Sequence, residues 1–156
     1  AERTAAVLTD VLGFRAAATE GTVTRYVADA NVGGVVDIHA AGGFLAERQG
    51  TGSVHHVAFR ARDDAEQAEM RRKLVEEHRL HVTEQIDRTY FRSLYFRSPG
   101  GVLFEIATDE PGFAVDEPKA TLGESLVLPA FLERRRAQIE ATLAPIPVEP
   151  TKEARS

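Results

Sequence analysis

The sequence predicts an α+β fold of paired βαβββ modules, the first lacking its opening strand, with a further helix toward the C-terminus. Three observations carry this expectation. Residues 51–108 read as a strand, a helix and three more strands. Residues 1–50 repeat that order from the helix onward. A stripe opened by a proline at 129–143 reads as one more helix.

In the first module, 1–50, apolar spacing predicts a helix over 4–12 ended by Gly13, then strands at 14–18, 22–28 and 35–40. The second module, 51–110, opens after the turn signal Gly50-Thr51-Gly52 with a β-branched and aromatic run at 53–59. Asp63 and Glu66, three apart, mark a helix start; Ala65, Ala68, Leu74, Val75 and His78 form its expected inner side, with Glu69, Arg72, Lys73 and Glu76 toward water. Strands follow at 80–86, 90–97 and 102–107, the last two joined through Ser98-Pro99-Gly100-Gly101. Laying Gly33-Gly34-Val35-Val36-Asp37-Ile38 over Gly100-Gly101-Val102-Leu103-Phe104-Glu105 puts Ile38 where Glu105 stands, so the first copy is expected to have lost a carboxylate. The missing opening strand leaves a sheet position for another segment, or an exposed edge. Residues 111–156 read as a connector, the helix whose stripe holds Phe131, Leu132, Arg135, Ile139 and Leu143, and a Pro-rich tail from 145. The helix is expected to cover the sheet.

Composition bounds the chemistry. The 156 residues carry a net charge of −5 with basic and acidic residues interleaved, which argues against nucleic acid or an anionic membrane surface as partners. No apolar run suggests a membrane span, and Glu2 and Arg3 stand where a signal peptide's apolar stretch would begin, so a cytoplasmic protein is expected. Cysteine is absent, so any metal is held by His, Asp, Glu or Tyr, ligands that suit Fe(II), Mn(II) or a catalytic Zn(II).

Two strands each offer one good ligand: His56 in Gly52-Ser53-Val54-His55-His56-Val57-Ala58-Phe59, and Glu105 in Pro99-Gly100-Gly101-Val102-Leu103-Phe104-Glu105-Ile106-Ala107. A histidine and a glutamate make two thirds of the 2-His-1-carboxylate triad that holds non-heme Fe(II) with open positions. A glutamate between Phe104 and Ile106 is costly to bury unless paired or metal-bound. Strand alternation puts His56, Ala58 and Arg60 on one face and turns His55 away, unless the strand bends. Tyr95 sits one hairpin from Glu105, where a phenol can donate a proton or steady an oxyanion, and Arg88 precedes the same aromatic segment. His39, His78 and His81 have no companion at ligand spacing and read as structural.

These residues resemble the vicinal oxygen chelate superfamily, the glyoxalase and extradiol dioxygenase fold. The likeness rests on Leu8-Thr9-Asp10-Val11-Leu12-Gly13-Phe14, His55-His56-Val57-Ala58-Phe59 and Leu103-Phe104-Glu105-Ile106-Ala107-Thr108-Asp109. Within it the chain is similar to the C-terminal half of the four-module dioxygenases that open hydroquinones. That narrower likeness rests on Asp87-Arg88-Thr89-Tyr90-Phe91-Arg92-Ser93-Leu94-Tyr95-Phe96 together with the two ligand strands, and extends through Leu122-Gly123-Glu124.

The resemblance implies His56 and Glu105 as ligands of Fe(II) or Mn(II), with His55, Arg88 and Tyr95 lining the substrate pocket. It implies a diphenol and O2 as substrates, opening of the ring by oxygen insertion, and a self-associating enzyme. It also implies a third ligand on the first module's opening strand, so a missing N-terminal half or a second chain is expected to supply it. A glyoxalase-like lyase or isomerase using Zn(II) or Ni(II), and a metal-free binder of an aromatic molecule, are the rival readings. A third is a fragment that serves only as a folding or assembly unit.

Overall fold

The computed structural model describes residues 1–42 and 50–144. These fall into two compact units, Ala1–Lys119 and one beginning at Ala120. The first contains every residue singled out above for chemistry.

Its first helix, α1 (Glu2–Asp10), buries Thr4, Val7 and Leu8 at helical spacing. Gly13, at φ +73°, reverses the chain so that the Phe14 N–H reaches the Leu8 carbonyl at 3.0 Å. Three antiparallel strands follow, β1 (Arg15–Glu20), β2 (Val23–Val27) and β3 (Val35–His39), in the order β1-β2-β3. A bulge between Ala16 and Ala18 breaks the β1 register. The second sheet holds β4 (Val57–Ala61), β5 (Ile86–Asp87), β6 (Arg92–Arg97) and β7 (Leu103–Thr108), ordered β4-β7-β6-β5, with β4 parallel to β7. Helix α2 (Asp64–Glu76) links β4 to the rest and starts at Asp63, whose carboxylate accepts the Glu66 N–H at 2.8 Å. Glu66 reaches back to the Arg62 N–H at 2.6 Å, one residue before the cap. One core cluster joins the two halves, drawing Val7, Leu8 and Tyr26 from the first and Leu74, Leu94, Phe96, Phe104 and Ile106 from the second.

Several expectations need correction, among them the strand expected at 53–59, which is β4 at Val57–Ala61. The inner side of α2 is not the alanine stripe: Ala65, Ala68 and Val75 are exposed, and Gln67 and Leu74 are buried. Gln67 is tolerated because its amide donates to the Arg92 and Ile106 carbonyls at 2.9 and 2.8 Å, holding β6 to β7. The expected strand 80–86 shrinks to a bridge at Val82 and the short β5. There the Thr83 hydroxyl, not a strand carbonyl, accepts the Tyr95 N–H at 3.0 Å, which interrupts the ladder.

The internal repeat is real but its register differs by one residue from the sequence overlay. In the second sheet Tyr95 faces Glu105 and Phe96 faces Phe104; in the first Arg25 faces Asp37 and Tyr26 faces Val36. The closing bonds agree, Ser98 N–H to Val102 O and Ala28 N–H to Gly34 O, as do the left-handed glycines Gly101 and Gly33. Asp37, not Ile38, therefore occupies the position of Glu105, while Val36 and Ile38, partly buried, pack against the core to which Phe104 and Ile106 belong. Hairpin loops of different length hid this from a gap-free overlay.

The second unit contains a turn in which the Leu132 N–H bonds the Pro129 carbonyl, a 3-10 turn (Glu133–Arg135) and α3 (Arg136–Thr142), shorter than the expected 129–143 helix. Residues 129–135 offer no side-chain cap, and Arg135 at φ −109°, ψ 9° delays the helical start. The tail from 145 lies outside the described residues.

Candidate metal and substrate site

All five residues singled out in the sequence converge. Glu105, central in β7, is only 4% exposed yet keeps both carboxylate oxygens partnered. His56 Nε2 lies 2.8 Å from Oε2 and the Tyr95 hydroxyl donates to Oε1 at 2.9 Å. Antiparallel pairing of Tyr95 with Glu105 fixes that second contact, and the parallel pairing of Val57 with Phe104 brings His56 to the same end of β7.

His56 lies just before β4 rather than inside it, so the expected alternation between His55 and His56 does not operate. Their rings stand edge to face, centroids 5.1 Å apart, with one Nδ1 donating to the other at 2.8 Å. His55 is thus brought round to the His56 side. Arg88 lays its guanidinium over the Tyr95 ring, 5.7 Å from the centroid. Its place is set by a turn in which Thr89 adopts φ +70° and donates its N–H to the Asp87 carboxylate at 2.7 Å.

Two supporting residues escaped the sequence reading. Ser93, fully buried, puts its hydroxyl 3.4 Å from the Tyr95 oxygen, and Thr83 holds the Tyr95 backbone through its N–H and its hydroxyl, both at 3.0 Å. The available signal for Ser93 was a small polar residue two before Tyr95, on the same strand face. Nothing local marked Thr83. His39 and His81 take no part in this cluster, and His78 instead approaches Asp10 at 3.5 Å.

The donor set suits a divalent metal. Two donors bound side by side to one ion at about 2.1 Å stand about 3 Å apart, and His56 Nε2 and Glu105 Oε2 are 2.8 Å apart. An imidazole nitrogen and a buried carboxylate suit Fe(II), Mn(II) or Zn(II). Among the described residues no group of three His, Asp or Glu side chains gathers that could hold a metal ion, and His56 and Glu105 are the two candidate donors that meet there. The counterpart position of the first sheet is closed differently. Arg25 grips Asp37 with two bonds of 2.8 Å, and this pairing holds the Asp37 carboxyl below its usual range.

Two repeats of helix and sheet, with a histidine just before β4 meeting a buried carboxylate of β7, define a domain of the glyoxalase type. The chain belongs to the Glyoxalase/Bleomycin resistance protein/Dioxygenase superfamily, whose family model matches residues 1–106. It is 45% identical over 152 residues to the protein named "Putative ring-cleaving dioxygenase MhqA" of Bacillus subtilis (strain 168), covering 94% of this chain and 48% of that protein. It is 35% identical over 94 residues to the chlorohydroquinone/hydroquinone 1,2-dioxygenase of Sphingobium indicum, covering 60% of this chain and 29% of that protein. A crystal structure titled as a putative dioxygenase from Bacillus subtilis superposes with a TM-score of 0.82 at 41% identity, over 95% of this chain and 47% of the other. The chain spans about half the length of the curated relatives it matches. Among the described residues no helix is long and apolar enough to cross a membrane.

Proposed function

We propose that this chain is the ligand-bearing half of a metal-dependent ring-cleaving dioxygenase for hydroquinone or catechol-like aromatics. The supporting observation is the buried Glu105 carboxylate with His56 Nε2 at 2.8 Å. The names of the dioxygenase relatives support the reaction class, and similarity to the hydroquinone dioxygenase supports the substrate class. Fe(II) or Mn(II), held by His56, Glu105 and a third ligand from outside the described residues, would supply the Lewis-acidic centre at which diphenol and O2 meet.

The chain's own residues do the rest. Tyr95 occupies Oε1 of Glu105 with its O–H and so leaves Oε2 for the ligand position. His55, bonded to His56 through Nδ1, fixes the ring so that Nε2 faces the carboxylate. The Tyr95 phenol and the His55 imidazole stand ready to hold or move the protons of a diphenol. The Arg88 cation, stacked on Tyr95, favours anionic oxygens of substrate or product. Proteins of this class take both oxygen atoms into a ring-opened acid, so the site needs open positions more than a fourth ligand.

Anaerobic calorimetry with Fe(II) and Mn(II), followed by hydroquinone and air in an oxygen electrode, tests the reading. Metal binding by the unaltered chain that disappears in His56→Ala and in Glu105→Gln is expected. Equal binding by all three proteins would overturn the ligand assignment. Turnover that persists without O2 would replace the dioxygenase with a lyase or isomerase of the same fold.

A further inference from the structure

The loop that carries Arg88 holds a backbone conformation its own residues disfavour, and a segment beyond β7 grips it. Residues 88–91 join β5 to β6 and are closed by two bonds, the Arg88 N–H to the Phe91 carbonyl at 2.9 Å and the Tyr90 N–H to the Arg88 carbonyl at 2.8 Å. The second bond spans a single residue, Thr89 at φ +70°, which is the strained form of a three-residue turn and ill suited to a β-branched side chain. Such strain persists only where surrounding structure imposes it. Here the segment after β7 does so. Gly112 donates its N–H to the Tyr90 carbonyl at 2.8 Å, the Phe113 ring stacks on the Tyr90 ring with centroids 5.2 Å apart, and the Asp116 carboxylate accepts the Tyr90 O–H at 2.9 Å. Asp116 also holds the Tyr90 phenol above its usual range, so the hydroxyl remains a donor at neutral pH.

We propose that Tyr90 and Asp116 are positioning residues for Arg88: the segment 112–116 clamps Tyr90 and so keeps the strained turn that aims the Arg88 guanidinium over the Tyr95 ring. Three contacts fix Tyr90 by its backbone, its ring and its hydroxyl. Arg88, by contrast, reaches the site on a long stem with much rotamer freedom, so its aim depends on where the loop holds its Cα. Without the clamp the Thr89 backbone relaxes toward negative φ, and the guanidinium leaves the ring. The consequence for the reaction rests on the proposed role of Arg88 toward substrate or product oxygens; the placement of Arg88 does not. Through that role, residues past β7 set how firmly an anionic oxygen is held.

Nitrogen-15 NMR of the full 156-residue chain tests this through the Arg88 Nε–Hε signal, assigned by its loss in Arg88→Lys and displaced upfield by the Tyr95 ring. In Asp116→Ala that displacement should fall by about half or more, and the Arg88 and Tyr90 amides should exchange about two- to tenfold faster. Asp116→Asn, whose side-chain oxygen still accepts the Tyr90 O–H, should keep the parent signal. Glycine takes positive φ without strain, so Thr89→Gly added to Asp116→Ala should restore the signal. An unmoved Arg88 signal in Asp116→Ala, equal effects of the Ala and Asn variants, or no recovery with Gly would each overturn the proposal. Neither metal nor turnover enters this readout, so its failure leaves the metal site standing, and failure of the metal reading leaves it intact.

Discussion

Tyr95 shows how one side chain meets a buried carboxylate and a cation at once. Its O–H is a hydrogen-bond donor to the buried Glu105 carboxylate, and its ring takes the Arg88 cation on its face. Tyr95→Phe leaves Oε1 of Glu105 without that donor, which costs about 1–3 kcal/mol for a buried group. Urea unfolding checks this independently of activity, and a loss below about 0.5 kcal/mol would mean the bond is idle. If the phenol also moves a proton, the same variant in the active assembly lowers kcat by about 10² or more. Metal affinity should change little, because His56 and Oε2 are untouched.

At the scale of elements, the start of α2 is held by two carboxylates, and one of them gives a pH signature. Backbone N–H donation from Arg62, followed by its guanidinium, holds the Glu66 carboxyl below its usual range. A carboxyl depressed in the folded state adds stability above its unfolded pKa, near 4.3, and that stability is lost as pH falls through the lower folded value. Glu66→Gln should therefore lower the Tm at pH 7 and flatten its fall below pH about 4.5; parallel curves for variant and parent would remove this account. Replacing the cap, Asp63→Ala, should cost about 1 kcal/mol at neutral pH.

The same elements show what the sequence could and could not reveal. The Asp63 start was legible because capping is local, and so were the β7 glutamate and the Gly101 turn. The inner face of α2 was not, since Gln67 is buried through carbonyls 25 and 39 residues away. Alternation failed at His55 because the chain becomes a regular strand only at Val57. The repeat's true register needed the ladder itself, because its two hairpin loops differ in length.

On the scale of the molecule, the two repeats are joined by a row of aromatic rings. Phe14, just after α1, meets Phe59 of β4 edge to face at 5.9 Å; Phe59 meets Phe104 of β7 at 4.9 Å, and Phe104 meets Phe96 at 5.6 Å. Phe59 is the one ring of the row that touches both halves, because β4 lies between α1's end and the site hairpin. The strand that delivers His56 thus also holds the halves together. Phe59→Ala should cost about 2–3 kcal/mol, less than a fully enclosed phenylalanine because this ring is only partly buried. The informative measurement is cooperativity rather than size. Amide exchange in β2 and β6 should track a single opening in the parent chain, since one core spans both sheets. In Phe59→Ala the β2 amides should open at lower denaturant than those of β6, which keep Leu74, Leu94 and Ile106 packed beneath them. If the two sheets still open together, the helix contacts of Val7 and Leu8, not the aromatic row, carry the coupling between the halves.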